Sequence, residues 1–86
     1  MTTVLVTGSN RGLGYEFVKQ YNEEGFDVIA CCRNIKEAEN LKNLAETSSN
    51  IKIYELDVSN IKAIKNLSEK LQDKKIDVLI NNAGIY

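Results

Sequence analysis

Four short apolar runs, separated by longer stretches whose apolar residues recur every three or four positions, set the rhythm of this chain. Thr3-Val4-Leu5-Val6-Thr7 is short, β-branched and ended by Gly8, the pattern of a buried strand. A helix is expected from about Gly12 to Glu24, with Leu13, Phe17, Val18 and Tyr21 on one face and Gly25 as its stop. Asp27 to Cys32 reads as the second strand. Asn34 with Glu37 three residues on resembles a capping box that opens a second helix, its apolar face being Ala38, Leu41, Leu44 and Ala45. After the polar loop Thr47 to Asn50, the stretch Ile51 to Leu56 alternates with charges, as an edge strand does. Ser59 or Asn60 can cap a third helix that turns Ile61, Ile64, Leu67 and Leu71 to one side, and Ile76 to Ile80 forms a fourth strand.

Strict alternation of strand and helix implies a parallel sheet with right-handed crossovers, an α/β fold. In the doubly wound, Rossmann-like arrangement the strand order is 3-2-1-4, and a crevice opens where the winding reverses, between strands 1 and 4. The first two helices should cover one face and the third the other. The turn from Gly8 to Gly14 and the segment from Asn81 to Gly84 then meet at the carboxyl ends of the two strands that border the crevice. With the sheet ending at strand 4, the Val78-Leu79-Ile80 edge lacks a partner, so self-association through it, or a marginal fold, is expected.

Composition narrows the field. Eleven basic and twelve acidic residues give a net charge of -1, which offers no reason to expect nucleic acid or an anionic membrane as a partner. No apolar run approaches the length of a membrane span, and Met1-Thr2-Thr3 leads straight into a strand without a targeting segment. The two cysteines are neighbours, Cys31 and Cys32, and there is no histidine, which argues against a zinc site and for a reducing, cytoplasmic compartment. Both cysteines are expected to pack.

The chemistry lies at the strand ends. Gly8 permits the strand-to-helix turn, Gly12 leaves room for a pyrophosphate to approach the backbone, and Gly14 lets the helix pack closely on the strand. Leu13 and Gly14 belong to the first turn of that helix, whose N–H groups and dipole suit phosphates. At the end of strand 2, where an acidic residue would hold both ribose hydroxyls of NAD, stands Cys32, followed by Arg33. Arg33 with Arg11 from the glycine turn can bind the 2'-phosphate of NADP(H), or both can be solvated surface arginines. Asn10 could add a neutral donor. Asp57, beside Val58, can accept from an adenine amino group, or simply cap the loop. Asn81 and Asn82 fit bridging across the crevice as well as touching a ligand.

Thr7-Gly8-x-x-x-Gly12-x-Gly14, Asp57-Val58 and Asn81-Asn82-Ala83-Gly84 together resemble the short-chain dehydrogenases/reductases, in the expected order along all 86 residues. The arginine pair resembles the NADPH-preferring subset, carbonyl reductases among them. The resemblance implies that Asp57 contacts adenine, that Asn81, Ala83 and Gly84 line the adenosine and ribose side, and that Thr7 and Asn82 hold the strands. It further implies an oxidoreductase acting on a carbonyl or alcohol. The family's catalytic tyrosine and lysine, its carbonyl-orienting serine and a later asparagine lie beyond the equivalent of Tyr86. On this reading residues 1–86 are the N-terminal NADP(H)-binding portion, with no catalytic residue of their own. Alone they would be inactive, a non-catalytic NADPH-binding or regulatory module, or one half of a split enzyme that meets a small carbonyl substrate only when a C-terminal half completes it.

Overall fold

The computed structural model describes residues 2–10, 12–57 and 59–81. Arg11, Val58, Asn82, Ala83 and Gly84 lie outside them. The chain runs β1 (Thr3–Val6), α1 (Gly12–Glu23), β2 (Asp27–Cys32), a 3-10 turn (Ile35–Glu37), α2 (Glu39–Glu46), β3 (Ile51–Glu55), α3 (Ile61–Lys70) and β4 (Val78–Ile80). The strands form one sheet in the order β3-β2-β1-β4, with all three pairings parallel, as the alternation predicts.

Register explains the two faces. Ile51, Val28, Val4 and Val78 lie across one row, and Ile53, Ala30, Val6 and Ile80 across another on the same side. That side carries the larger core, where Val4, Val6, Val28, Ala30 and Cys32 meet Val18 of α1 and Leu41 of α2. The intervening row, Lys52, Ile29, Leu5 and Leu79, belongs to the opposite face. There Leu5, Ile29 and Cys31 pack under Leu67 of α3 and Leu71, the residue that ends it. The first two helices therefore share one side and the third takes the other, as expected.

Local structure departs from the pattern in three places. Leu13 is 68% exposed, because the sheet-facing line of α1 runs through Gly14 and Val18, one position away. The helix expected at Asn34 opens instead as a 3-10 turn. The Asn34 side chain accepts from Lys36 N–H, Ala38 N–H donates to Ile35 O at 3.1 Å, and α2 starts only after Ala38, whose own side chain offers no cap. Glu55 holds that turn against β3 by accepting the Ile35 N–H at 3.2 Å. On α3 only Leu67 and the following Leu71 are buried, while Ile61 is 82% and Ile64 41% exposed. Asn60, rather than Ser59, caps α3 by accepting from Ala63 N–H at 3.2 Å.

The end of α1 shows how a sequence signal becomes a stop. Gly25 has φ +85°, its N–H donates to Asn22 O, and Phe26 N–H reaches Tyr21 O at 3.1 Å. This is the doubly bonded glycine termination, and its accompanying apolar contact is present as the stacked Tyr21 and Phe26 rings, 5.5 Å apart. Among the described residues no helix is long and apolar enough to cross a membrane.

Candidate functional site

Parallel strands all end at one edge of a sheet, and here the four carboxyl ends are tied together by bonds other than the ladder. Between β4 and β1, Thr7 N–H donates to Ile80 O at 3.0 Å and Thr7 Oγ1 donates to Asn81 Oδ1 at 3.1 Å. Between β1 and β2, Ser9 N–H donates to Cys31 O at 2.9 Å. Between β2 and β3, Leu56 N–H donates to Cys32 O at 2.7 Å, and Arg33 Nε faces Asp57 Oδ2 at 3.6 Å. The glycine turn, the end of β2, the Asp57 turn and Asn81 thus share one edge, where the strand order predicts a site.

The turn after β1 is shaped by its glycines. Gly8 and Gly12 adopt φ of +62° and +59°. A Cβ placed on Gly12 would meet nothing within 4 Å, so at that point the backbone faces open space that a ligand can enter. Gly14 is buried, in keeping with close helix-on-sheet packing. The first N–H groups of a helix have no partner within it, and the first turn of α1 carries no acidic side chain to repel an anion. Leu13 enters this site through its position in that turn, and its exposed side chain takes no part in the core. Asn10 is half-buried in the turn itself.

Around the end of β2 the electrostatics divide between buried and exposed groups. Burial, and then Cys32, pushes the Cys31 thiol up to about 12. Cys32 is also raised, by burial first and by Glu55 second. Both are neutral packing groups at neutral pH, as expected. Arg33 is 82% exposed and carries the charge that β2 presents. Asp57 Oδ1 accepts from Ser59 N–H at 3.0 Å and from Ser59 Oγ at 2.6 Å. Those two bonds, ahead of Arg33, hold its carboxyl below the usual carboxylate range.

Asp57 is therefore a turn-forming residue and an ion-pair partner of Arg33 at once. Asn81 shares in fixing β4 to β1 through Thr7, the bridging expected of it and Asn82 alike. Of the other expected site residues, Arg11, Val58, Ala83 and Gly84 lie outside the described residues.

Three contributors escaped the sequence reading. Ser9 is fully buried, and its hydroxyl donates to Val6 O at 2.7 Å while its N–H reaches β2. Its place inside the glycine turn was the available signal. Glu55 carried none, since in sequence it looks like a solvated charge, and Ser59 stood out only as a possible cap for α3, whereas its two bonds go to Asp57. The spacing of a tyrosine and a lysine four apart does occur, at Tyr15 and Lys19, but on α1, where Tyr15 packs against the larger core and Lys19 is exposed.

Comparison with known proteins agrees with this geometry. A family model described as short chain dehydrogenase matches residues 2–86. The (+)-neomenthol dehydrogenase of Arabidopsis thaliana is 39% identical over 88 residues, covering 94% of this chain and 30% of that protein. A carbonyl reductase from Pseudomonas aeruginosa PAO1, solved in complex with NADP, superposes with a TM-score of 0.92 at 31% identity, over 100% of this chain and 40% of that one. A 4-hydroxyisoleucine dehydrogenase complexed with NADH gives a TM-score of 0.86 at 36% identity, over 99% and 35%. The chain spans less than half the length of each of these relatives.

Proposed function

The chain belongs to the short-chain dehydrogenase family, and from that premise we propose that it is the N-terminal, NADP(H)-binding part of an oxidoreductase acting on a carbonyl or alcohol. The observation that carries the cofactor choice is the end of β2, where a buried, neutral Cys32 is followed by the exposed Arg33. No carboxylate stands at that position to take up both ribose hydroxyls, and a guanidinium suits a 2'-phosphate.

The remaining residues fit the same ligand. The open approach at Gly12 and the first N–H groups of α1, which have no partner within the helix, suit the pyrophosphate. Arg11 and Asn10 would assist from the turn. Asp57 and Val58 would border the adenine, and Asn81, Ala83 and Gly84 the ribose side. The bound cofactor would supply the hydride. What these residues do is hold and orient its adenosine and pyrophosphate end. Reduction of a carbonyl also needs an acid beside the developing alkoxide, and none of the described site residues offers one in a suitable place. We therefore expect binding without turnover from these residues alone.

Titration with NADPH and NADH tests this directly. Saturable binding that favours NADPH is expected. Arg33→Asp should cut NADPH affinity by about 1.5–3 kcal/mol, the value of a charge-assisted hydrogen bond, and so shift the ratio toward NADH. An unchanged ratio would remove Arg33 from the site. A second reading, in which the chain is one half of a split enzyme, draws support from the exposed Leu79, Ile61 and Ile64 on the thinly covered side of the sheet. Turnover restored by a separately produced C-terminal half of a family member would favour it.

A further inference from the structure

Arg33 is not a free cation in this structure, and the way it is held has a consequence for cofactor choice. Its Nε lies 3.6 Å from Asp57 Oδ2, so the carboxylate engages the guanidinium from its flank. Asp57 is itself fixed. Two donors of Ser59 occupy Oδ1, and Asp57 O accepts the N–H of Asn60, the residue that caps α3. The helix cap, the turn and the carboxylate form one continuous brace, and the charge at its end faces Arg33. The nearby Glu55 is committed elsewhere, to the Ile35 N–H.

Resting on the reading of Arg33 as the residue for the 2'-phosphate, we infer that Asp57 is a specificity-determining residue that acts through Arg33. It is a built-in competitor that lowers the chain's preference for the phosphorylated cofactor. A carboxylate and a phosphate are both anions seeking the same guanidinium. A 2'-phosphate must draw Arg33 away from Asp57, or share it while sitting close to a second negative charge. A cofactor lacking that phosphate meets neither obstacle. Any contact between Asp57 and the adenine is common to both cofactors and cancels in the ratio of their affinities. The discrimination ratio therefore isolates the action of Asp57 on Arg33.

The test is a cycle of four chains: the wild type, Asp57→Asn, Arg33→Gln and the double variant, each titrated calorimetrically with NADPH and with NADH. Asparagine retains an oxygen to accept from Ser59, so the turn is preserved. Asp57→Asn should raise the NADPH preference roughly two- to five-fold, the scale set by an exposed ion pair. The same change in the Arg33→Gln background should leave the ratio where it was. Asp57→Ser, which can still form the turn but is too short to reach Arg33, should raise the ratio as asparagine does.

A ratio that stays level or falls in both Asp57 variants overturns the inference. So does an equal rise in the Arg33→Gln background, which would mean a bare charge acting on the phosphate. Failure of the underlying reading is seen separately, as a wild-type ratio that Arg33→Gln does not change, and it would take this inference with it.

Discussion

The two faces of the sheet are built from the same strands, yet they are covered very differently. On one side α1, the 3-10 turn and α2 close over Val4, Val6, Val28, Ala30 and Cys32, with Val18 and Leu41 fully buried between helices and sheet. On the other, among the described residues α3 alone covers Leu5, Ile29 and Cys31, and the row of Leu5 and Ile29 ends on Leu79, 65% exposed. Among the described residues, then, the first layer is covered more fully than the second. The edge that carries the candidate site is tied to both layers, through Cys32 on the first face and Cys31 on the second.

The contrast is sharpest in core truncations. Leu41→Ala removes a fully buried side chain from the closed layer and should cost about 2–5 kcal/mol, which a small domain hardly tolerates. Leu67→Ala on the open layer should fall at the low end of that range, about 2 kcal/mol, because Leu67 is 8% exposed where Leu41 is wholly buried and the single helix over it can settle. Urea unfolding of both variants measures the difference. Equal losses would mean that α3 seals its face as well as the other two helices seal theirs.

Alkaline pH probes the open layer by other means. The Cys31 thiol ionises near 12 in the folded chain against an ordinary 9.0. Its contribution is fully present below pH 9 and lost as the pH rises from there toward 12, since only the unfolded chain forms the thiolate readily. The fall in the urea midpoint between about pH 8 and about pH 10 should therefore be shallower in Cys31→Ala. Parallel slopes would show that Cys31 is wetter than its packing indicates. The smallest effect is expected outside both cores. Ile61→Gln should change stability by no more than about 0.5 kcal/mol while reducing self-association in sedimentation experiments. A large loss of stability would mean that Ile61 packs in solution.

Much of this architecture was legible in the chain. Short apolar runs and three-to-four-residue recurrence marked the strands and helices, and their strict succession, with the doubly wound arrangement it implies, led to the strand order and the side on which each helix lies. The same periodicity misjudged Leu13, Ile61 and Ile64, because an apolar stripe says which way a helix could pack and nothing about whether a surface meets it there. Asn34 does cap, but it caps the 3-10 turn and not α2, and a bond from Glu55, twenty residues away, also holds that turn. At the candidate site the positions of the glycine turn after β1 and of Arg33 after β2 could be read, because strand ends and glycine spacing are local features. Ser9, Glu55 and Ser59 could not, because their roles exist only once neighbouring strands or turns bring donor and acceptor together.

Ser9 has one more implication. Its amide and its hydroxyl are both spent on strand carbonyls, so the turn that would receive a phosphate continues the sheet instead of hanging from it. Such a turn is already in its receiving shape before any ligand arrives, and little conformational entropy remains to be lost on capture. In deuterated buffer the Ser9 amide should exchange as slowly as those of the strands with no nucleotide present, and adding one should slow it little further.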